Sequence, residues 1–152
     1  MSRVFLVLLV TLISPSALAA SAPSDCRDGA RQLSLSRHMI CMSFDMDDMF
    51  AALGQSGSAI SAANRLSEVR RHAQQALALA PTRTQGMKAE DARVEILEYQ
   101  LRFAEVYVAI ARLEHRLLTR PDLGDSPGSD PVTAQLAMDL QQLIGKGHQR
   151  FR

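Results

Sequence analysis

The sequence predicts an all-α domain, an antiparallel up-and-down four-helix bundle behind a cleaved signal peptide. Three observations predict it. The chain opens with a charged residue, a short apolar run and a small-residue motif, the pattern of a secretory leader. The rest contains four segments of helical periodicity separated by Gly-, Pro- and Ser-rich breaks, and no stretch alternates with a strand's period of two. Its composition favours helices: Ala, Leu, Met, Arg and Gln are abundant, tryptophan is absent and aromatics make up 5% of the chain.

The leader occupies residues 1–20. Arg3 supplies the positive start, Val4 to Ile13 is an unbroken apolar run, and Ala17-Leu18-Ala19 is a small-x-small cleavage signal. The run is too short to span a bilayer, which takes about 20 residues. Residues 21–34 read as an N-terminal extension and 35–152 as the bundle. Export places the mature chain in the periplasm, outside the membrane. The whole chain carries 17 basic and 16 acidic residues, and losing Arg3 brings the two into balance. No basic surplus is left to bind nucleic acid through counterion release.

The first helix is expected from about Leu33 to Leu53, with Met39, Met42, Met46, Met49 and Leu53 in one stripe at spacings of three and four. The second runs from about Ala59 to Ala80, with Ala63, Leu66, Val69, Ala73, Leu77 and Ala80 inward, and stops at the Pro81–Gly86 break. The third, Ala89 to Thr119, has Val94, Leu97, Leu101, Ala104, Val108 and Ala111 as its core row. A second row of Tyr99, Phe103, Val106 and Ile110 is read as widening that face. After a turn-rich loop from Arg120 to Ser129, Asp130 is a good N-cap and Pro131 suits the first helical position. The fourth helix then runs to about His148, with Leu136, Leu140, Leu143, Ile144 and His148 inward.

Cys26 and Cys41 would share an oxidising compartment, where a disulfide can form. One continuous helix would hold them about 22 Å apart, so a bridge requires the chain to break between them, at Gly29, Ser34 or Ser36. Neither cysteine begins the Cys-x-x-Cys-His motif of covalent haem attachment. His38, His72 and His115 are expected at the surface or its boundary, His115 partly buried. Asp45, Asp47 and Asp48 are expected on a solvated face. No nucleophilic triad or phosphate loop is present, and the chain does not read as an enzyme.

His148 stacks on the apolar row of the last helix, and in an up-and-down bundle it lies at the same end as Met39. Facing helices of bundles build cofactor sites in this way, and thioether with imidazole is an axial pair for haem iron. The closing His148-Gln149-Arg150-Phe151-Arg152 resembles the His-Gln-Lys-Tyr-Arg end of the cytochrome b562 family. The Met39, Met42, Met46, Met49 spacing is similar to that family's first helix, and Leu66-Ser-Glu-Val69-Arg70 to its Leu-x-x-Met-Arg segment. The resemblance covers roughly residues 35–152. It implies a periplasmic electron carrier with one non-covalent b-type haem, serving an unidentified redox partner. By it, Met39 and His148 would ligate the iron, with Met46 the alternative to Met39 if the register shifts, and Arg152 would neutralise a propionate. Two rival readings stand beside it: a haem-free periplasmic bundle acting in binding or stress, and a copper module using the methionine stripe, since thioethers suit Cu(I).

Overall fold

A computed structural model describes residues 23–28, 32–54, 59–123 and 126–151. The leader and Arg152 lie outside the described residues. Among the described residues five α-helices follow in order: α1 (Ser24–Arg27), α2 (Leu35–Leu53), α3 (Ala59–Arg83), α4 (Ala89–Thr119) and α5 (Pro131–Arg150). No strand occurs among the described residues. The four long helices form a bundle, and no described helix is long and apolar enough to cross a membrane.

The helix starts follow from local chemistry. Ser34 caps α2, its hydroxyl accepting from the Arg37 N–H at 3.2 Å. Asp130 caps α5, accepting from the Thr133 N–H at 2.8 Å and its hydroxyl at 2.7 Å. The Arg116 guanidinium at the end of α4 also grips that carboxylate, at 2.9 and 3.0 Å. The hydrogen bonds from Thr133 and Arg116 hold the Asp130 carboxyl down at about 2. The α4 bounds match those expected from the sequence, and α2 begins two residues later than expected. The loop before α5 contains two single 3-10 turns, Pro121–Leu123 and Pro127–Ser129.

One expected boundary is corrected: α3 does not stop at Pro81 but runs through it to Arg83. Proline forfeits one hydrogen bond, and near a helix end that loss is small. Thr82 Oγ1 donates to the Leu79 carbonyl at 2.6 Å and Thr84 Oγ1 to the Pro81 carbonyl at 3.0 Å, satisfying acceptors of the last turn. The reversal comes at Gly86, whose φ of 82° is the left-handed region open to glycine.

The core takes one row from each long helix. On α2 it is Met39, Met42, Met46, Met49 and Leu53, as the stripe predicts. Leu66, Val69, Ala73, Ala76 and Ala80 of α3 are fully buried, and the many alanines let α2 and α3 approach closely. On α4 the expectation is overturned. The buried row is Tyr99, Phe103, Val106, Ile110, Leu113 and Leu117, whereas Val94, Leu97, Leu101 and Val108 are each more than half exposed. At 100° per residue the two rows point about 160° apart, so burying one in the bundle turns the other to solvent. His115 follows the outer row and is exposed.

On α5 the inner row is Thr133, Ala137, Leu140, Ile144 and Gly147, continued by Phe151. Leu136, Leu143 and His148 flank it, half-buried rather than inward. The end of α5 meets the start of α2, and the 3-10 turn before α5 meets the end of α2. Near one end, a Cβ on Gly147 would meet the Met39 methyl at 3.5 Å; near the other, a Cβ on Gly128 would meet the Leu53 carbonyl at 2.9 Å.

These contacts separate glycines that the sequence treats alike. Gly128→Ala is expected to lower stability, because Leu53 backbone must move to admit the methyl. Gly145→Ala meets nothing within 4 Å and should raise stability by about 1 kcal/mol through helix propensity. Urea denaturation of both variants checks the pair, and equal effects would contradict the packing.

Candidate functional site

Two groupings of side chains stand apart from ordinary core. One is the end of the bundle where α2 begins and α5 finishes, to which the sequence assigned Met39 and His148. The other is a buried polar cluster between α2 and α3 under α1.

At the first, Met39 is 5% exposed and its methyl packs on Gly147. Phe151 lies over Tyr99, ring centroids 3.7 Å apart, and its carbonyl accepts from Arg83. The Tyr99 hydroxyl is buried without a hydrogen-bond partner. Arg150 turns outward to Glu98, at 2.8 and 3.0 Å. His148 is the residue after Gly147, hence about 100° round the helix. Its Nδ1 lies 3.5 Å from Ser43 Oγ, in a groove of about 280 Å³ also lined by Ile40, Phe44 and Asp47. Met39 does not line that groove.

Thus the structure brings Met39 and His148 to the same end of neighbouring helices, and the two side chains face different spaces. Met46 lies two turns deeper in the core, 2% exposed. Thioether and imidazole suit haem iron, but the packing leaves no room for a tetrapyrrole between them. The void bounded by Met39, Met42, Phe103, Ile144, Gly147 and Phe151 is about 10 Å³, at most one water. In this packing the residues do not fit the haem that the resemblance implies. Arg152 lies outside the described residues. Among the described residues, no cluster of three or more His, Cys, Asp or Glu side chains could hold a metal ion.

The second grouping was missed. His38 and His72, expected at the surface, are 5% and 0% exposed, and Asp45, expected on a solvated face with Asp47 and Asp48, is 7% exposed. His38 Nδ1 and His72 Nδ1 are 2.9 Å apart. Only one can carry the shared proton, so at least one ring is neutral. The Arg71 guanidinium, which can only donate, lies 2.9 Å from His72 Nε2 and 3.2 Å from the Cys26 carbonyl. His72 Nε2 faces both this donor and an acceptor, the Cys26 carbonyl at 3.2 Å, so its tautomer sets whether it accepts from Arg71 or donates to Cys26, and which histidine donates across the Nδ1 pair.

Burial first, then Arg71, pushes His72 down to about 4; the same causes lower His38. Burial pushes Asp45 up to about 6, with Glu68 adding to the rise. Asp45 Oδ2 has no hydrogen-bond partner and lies 3.7 Å from His72 Nε2, beyond hydrogen-bond reach.

The cover over this cluster is α1. Cys26 and Cys41 form a disulfide, Cα atoms 5.4 Å apart, and the chain does break between them, with α1 ending at Arg27 and α2 starting at Leu35. Asp25 accepts two bonds from Arg37, at 2.6 and 2.7 Å. The signal for this cluster was in the sequence: His38, Cys41 and Asp45, at spacings of three and four, form a second row on α2. A cysteine that must meet a distant partner requires its row to be covered.

The chain matches no family model, no curated protein and no solved structure.

The cluster sets two expectations. Removing the disulfide (Cys26→Ser with Cys41→Ser) should lower stability by about 3 kcal/mol, the chain-entropy value for a loop of this length, as read by urea denaturation. Secondly, Asp45 holds its proton to higher pH in the folded chain, so its contribution to stability falls as pH rises from about 4 to 6. His72 binds its proton less well when folded, so its contribution falls as pH drops from about 6.5 to 4. The two slopes oppose in wild type. Asp45→Asn should therefore be the more stable by about 3 kcal/mol at pH 7, match wild type below about pH 4, and show the steeper loss towards acid. Parallel pH–stability curves would contradict the assignment.

Proposed function

We propose that the chain is a periplasmic electron-transfer protein: an up-and-down four-helix bundle that binds one b-type haem, exported by its leader and not an enzyme. The observation that carries the reading is the meeting of the start of α2 with the end of α5. It sets Met39 against Gly147, the residue before His148, so the two donor types that hold low-spin haem iron stand at one end of neighbouring helices, though they face different spaces. The resemblance of residues 148–152 to the cytochrome b562 ending supports it independently.

The packing sets a condition on this reading. For haem to enter, α2 and α5 must part at this end and His148 must turn from Ser43 towards Met39. Gly145 and Gly147 make the last turns of α5 the natural place to yield, each costing about 1 kcal/mol of helix stability relative to alanine. Met39 and His148 would then hold the haem, and the chemistry it would supply is electron transfer. A second reading, the haem-free bundle, is favoured by the filled space around Met39, where only the small void remains. As for copper, the methionine row is packed into the core, with Met42, Met46 and Met49 at most 2% exposed.

The test is an absorption spectrum of periplasmic protein with and without added haem, oxidised and reduced. The expected result is a sharp reduced α-band that is lost in His148→Ala and in Met39→Ala and kept in Met46→Ala. A flat spectrum in excess haem would overturn the haem reading and leave the haem-free bundle.

A further inference from the structure

The outward face of α4 is built like an inward one. Val94, Leu97, Leu101, Ala104, Val108, Ala111, His115 and Leu118 follow one another at spacings of three and four without a break, the repeat of a coiled-coil seam. The large members up to Val108, and Leu118, are each more than half exposed. Among the described residues no helix covers this row. The seam runs along the longest helix for about 36 Å. Beside it, between α4 and α5, lies a groove of about 560 Å³ whose apolar wall includes Leu136 and Leu143. A second groove of about 500 Å³ continues past Val108 to Val132.

The charges along the seam choose its occupant. Glu105 and Arg112 flank the first groove, one turn to either side of Val108 and Ala109. Arg112 makes no ion pair among the described residues, while Glu105 pairs along its own helix with Arg102 at 3.0 Å, an exposed pair that it can exchange for Arg112 of a second copy. If a second α4 lies antiparallel across the first, about a twofold axis at Val108–Ala109, Glu105 of each copy meets Arg112 of the other. The same operation lays each apolar row on its own counterpart, as a closed twofold interface requires. The small Ala104 and Ala111 allow close approach on both sides of the axis. The area also points beyond a single helix. A strip 36 Å long and one helix wide, about 10 Å, is about 360 Å². A stable interface takes about 800 Å² per partner, and the Val132, Leu136 and Leu143 flank of α5 extends the surface in that direction.

We infer that the α4 face is the interface of a homodimer, paired antiparallel about Val108–Ala109. The inference does not depend on haem.

Sedimentation equilibrium of the mature, oxidised protein over a concentration series tests it. The expected average mass rises towards twice that of one chain. Val108→Glu and Leu101→Glu, both at exposed positions, should give monomers with unchanged helical circular dichroism. Glu105→Arg should also give a monomer, because it sets a second guanidinium against Arg112 across the axis, and the double swap Glu105→Arg with Arg112→Glu should restore the dimer. A monomer at every concentration would overturn the inference. So would a dimer indifferent to Val108→Glu and Leu101→Glu, or a double swap that fails to recover association.

Discussion

A helix in a four-helix bundle can bury one face, and α4 brings two apolar rows about 160° apart to that constraint. The aromatic row enters the core. Tyr99 and Phe103 carry large apolar areas, and with Ile110, Leu113 and Leu117 they fill the space opposite the methionines of α2. The row of valines, leucines and alanines offers less volume at Ala104 and Ala111 and would leave voids there. Once the aromatic row is inside, much of the rest is set. Phe151 can stack on Tyr99, Arg116 reaches the Asp130 cap, and α4 is left with an outer seam that no described helix covers.

On α2 the balance differs, because a second row is also buried. His38, Cys41 and Asp45 lie beside the methionine row, and the Cys26–Cys41 bridge draws α1 over them. Covering polar side chains is costly unless they are paired. The histidines meet the requirement by pairing with each other and by the contacts of His72 Nε2 with Arg71 and the Cys26 carbonyl. Asp45 does not meet it, since its Oδ2 is buried without a partner, and its carboxyl gives way by holding its proton longer. The disulfide thus does more than close a loop: it keeps a polar cluster away from water.

The end of the bundle carries the functional question. Met39 and His148 are neighbours in the fold and not in the same cavity. One position on α5 separates them: Gly147 lies on the buried row and His148 on its flank. A glycine at the contact lets the Met39 methyl lie against the helix backbone, which closes the space that a bulkier residue would have held open. The distinction between a cytochrome and a closed bundle of similar sequence comes down to whether that contact opens.

The sequence by itself determined the elements. The four long helices, the Asp130 cap, the Met stripe and the break that a Cys26–Cys41 bridge would require are local consequences of periodicity, capping and chain geometry, and each is readable over a few turns. Tertiary structure decided which faces those helices turn inward. Periodicity states that Val94–Ala111 and Tyr99–Ile110 are both apolar rows, and only packing volume chose between them. Neighbouring residues hid the burial of His38, Asp45 and His72, since each sits beside or among polar groups and becomes core only when α1 and α3 close over it. The place of His148, one residue off the inner row, depended on Gly147 meeting the Met39 methyl of α2. That is a property of two helices together and not of either alone.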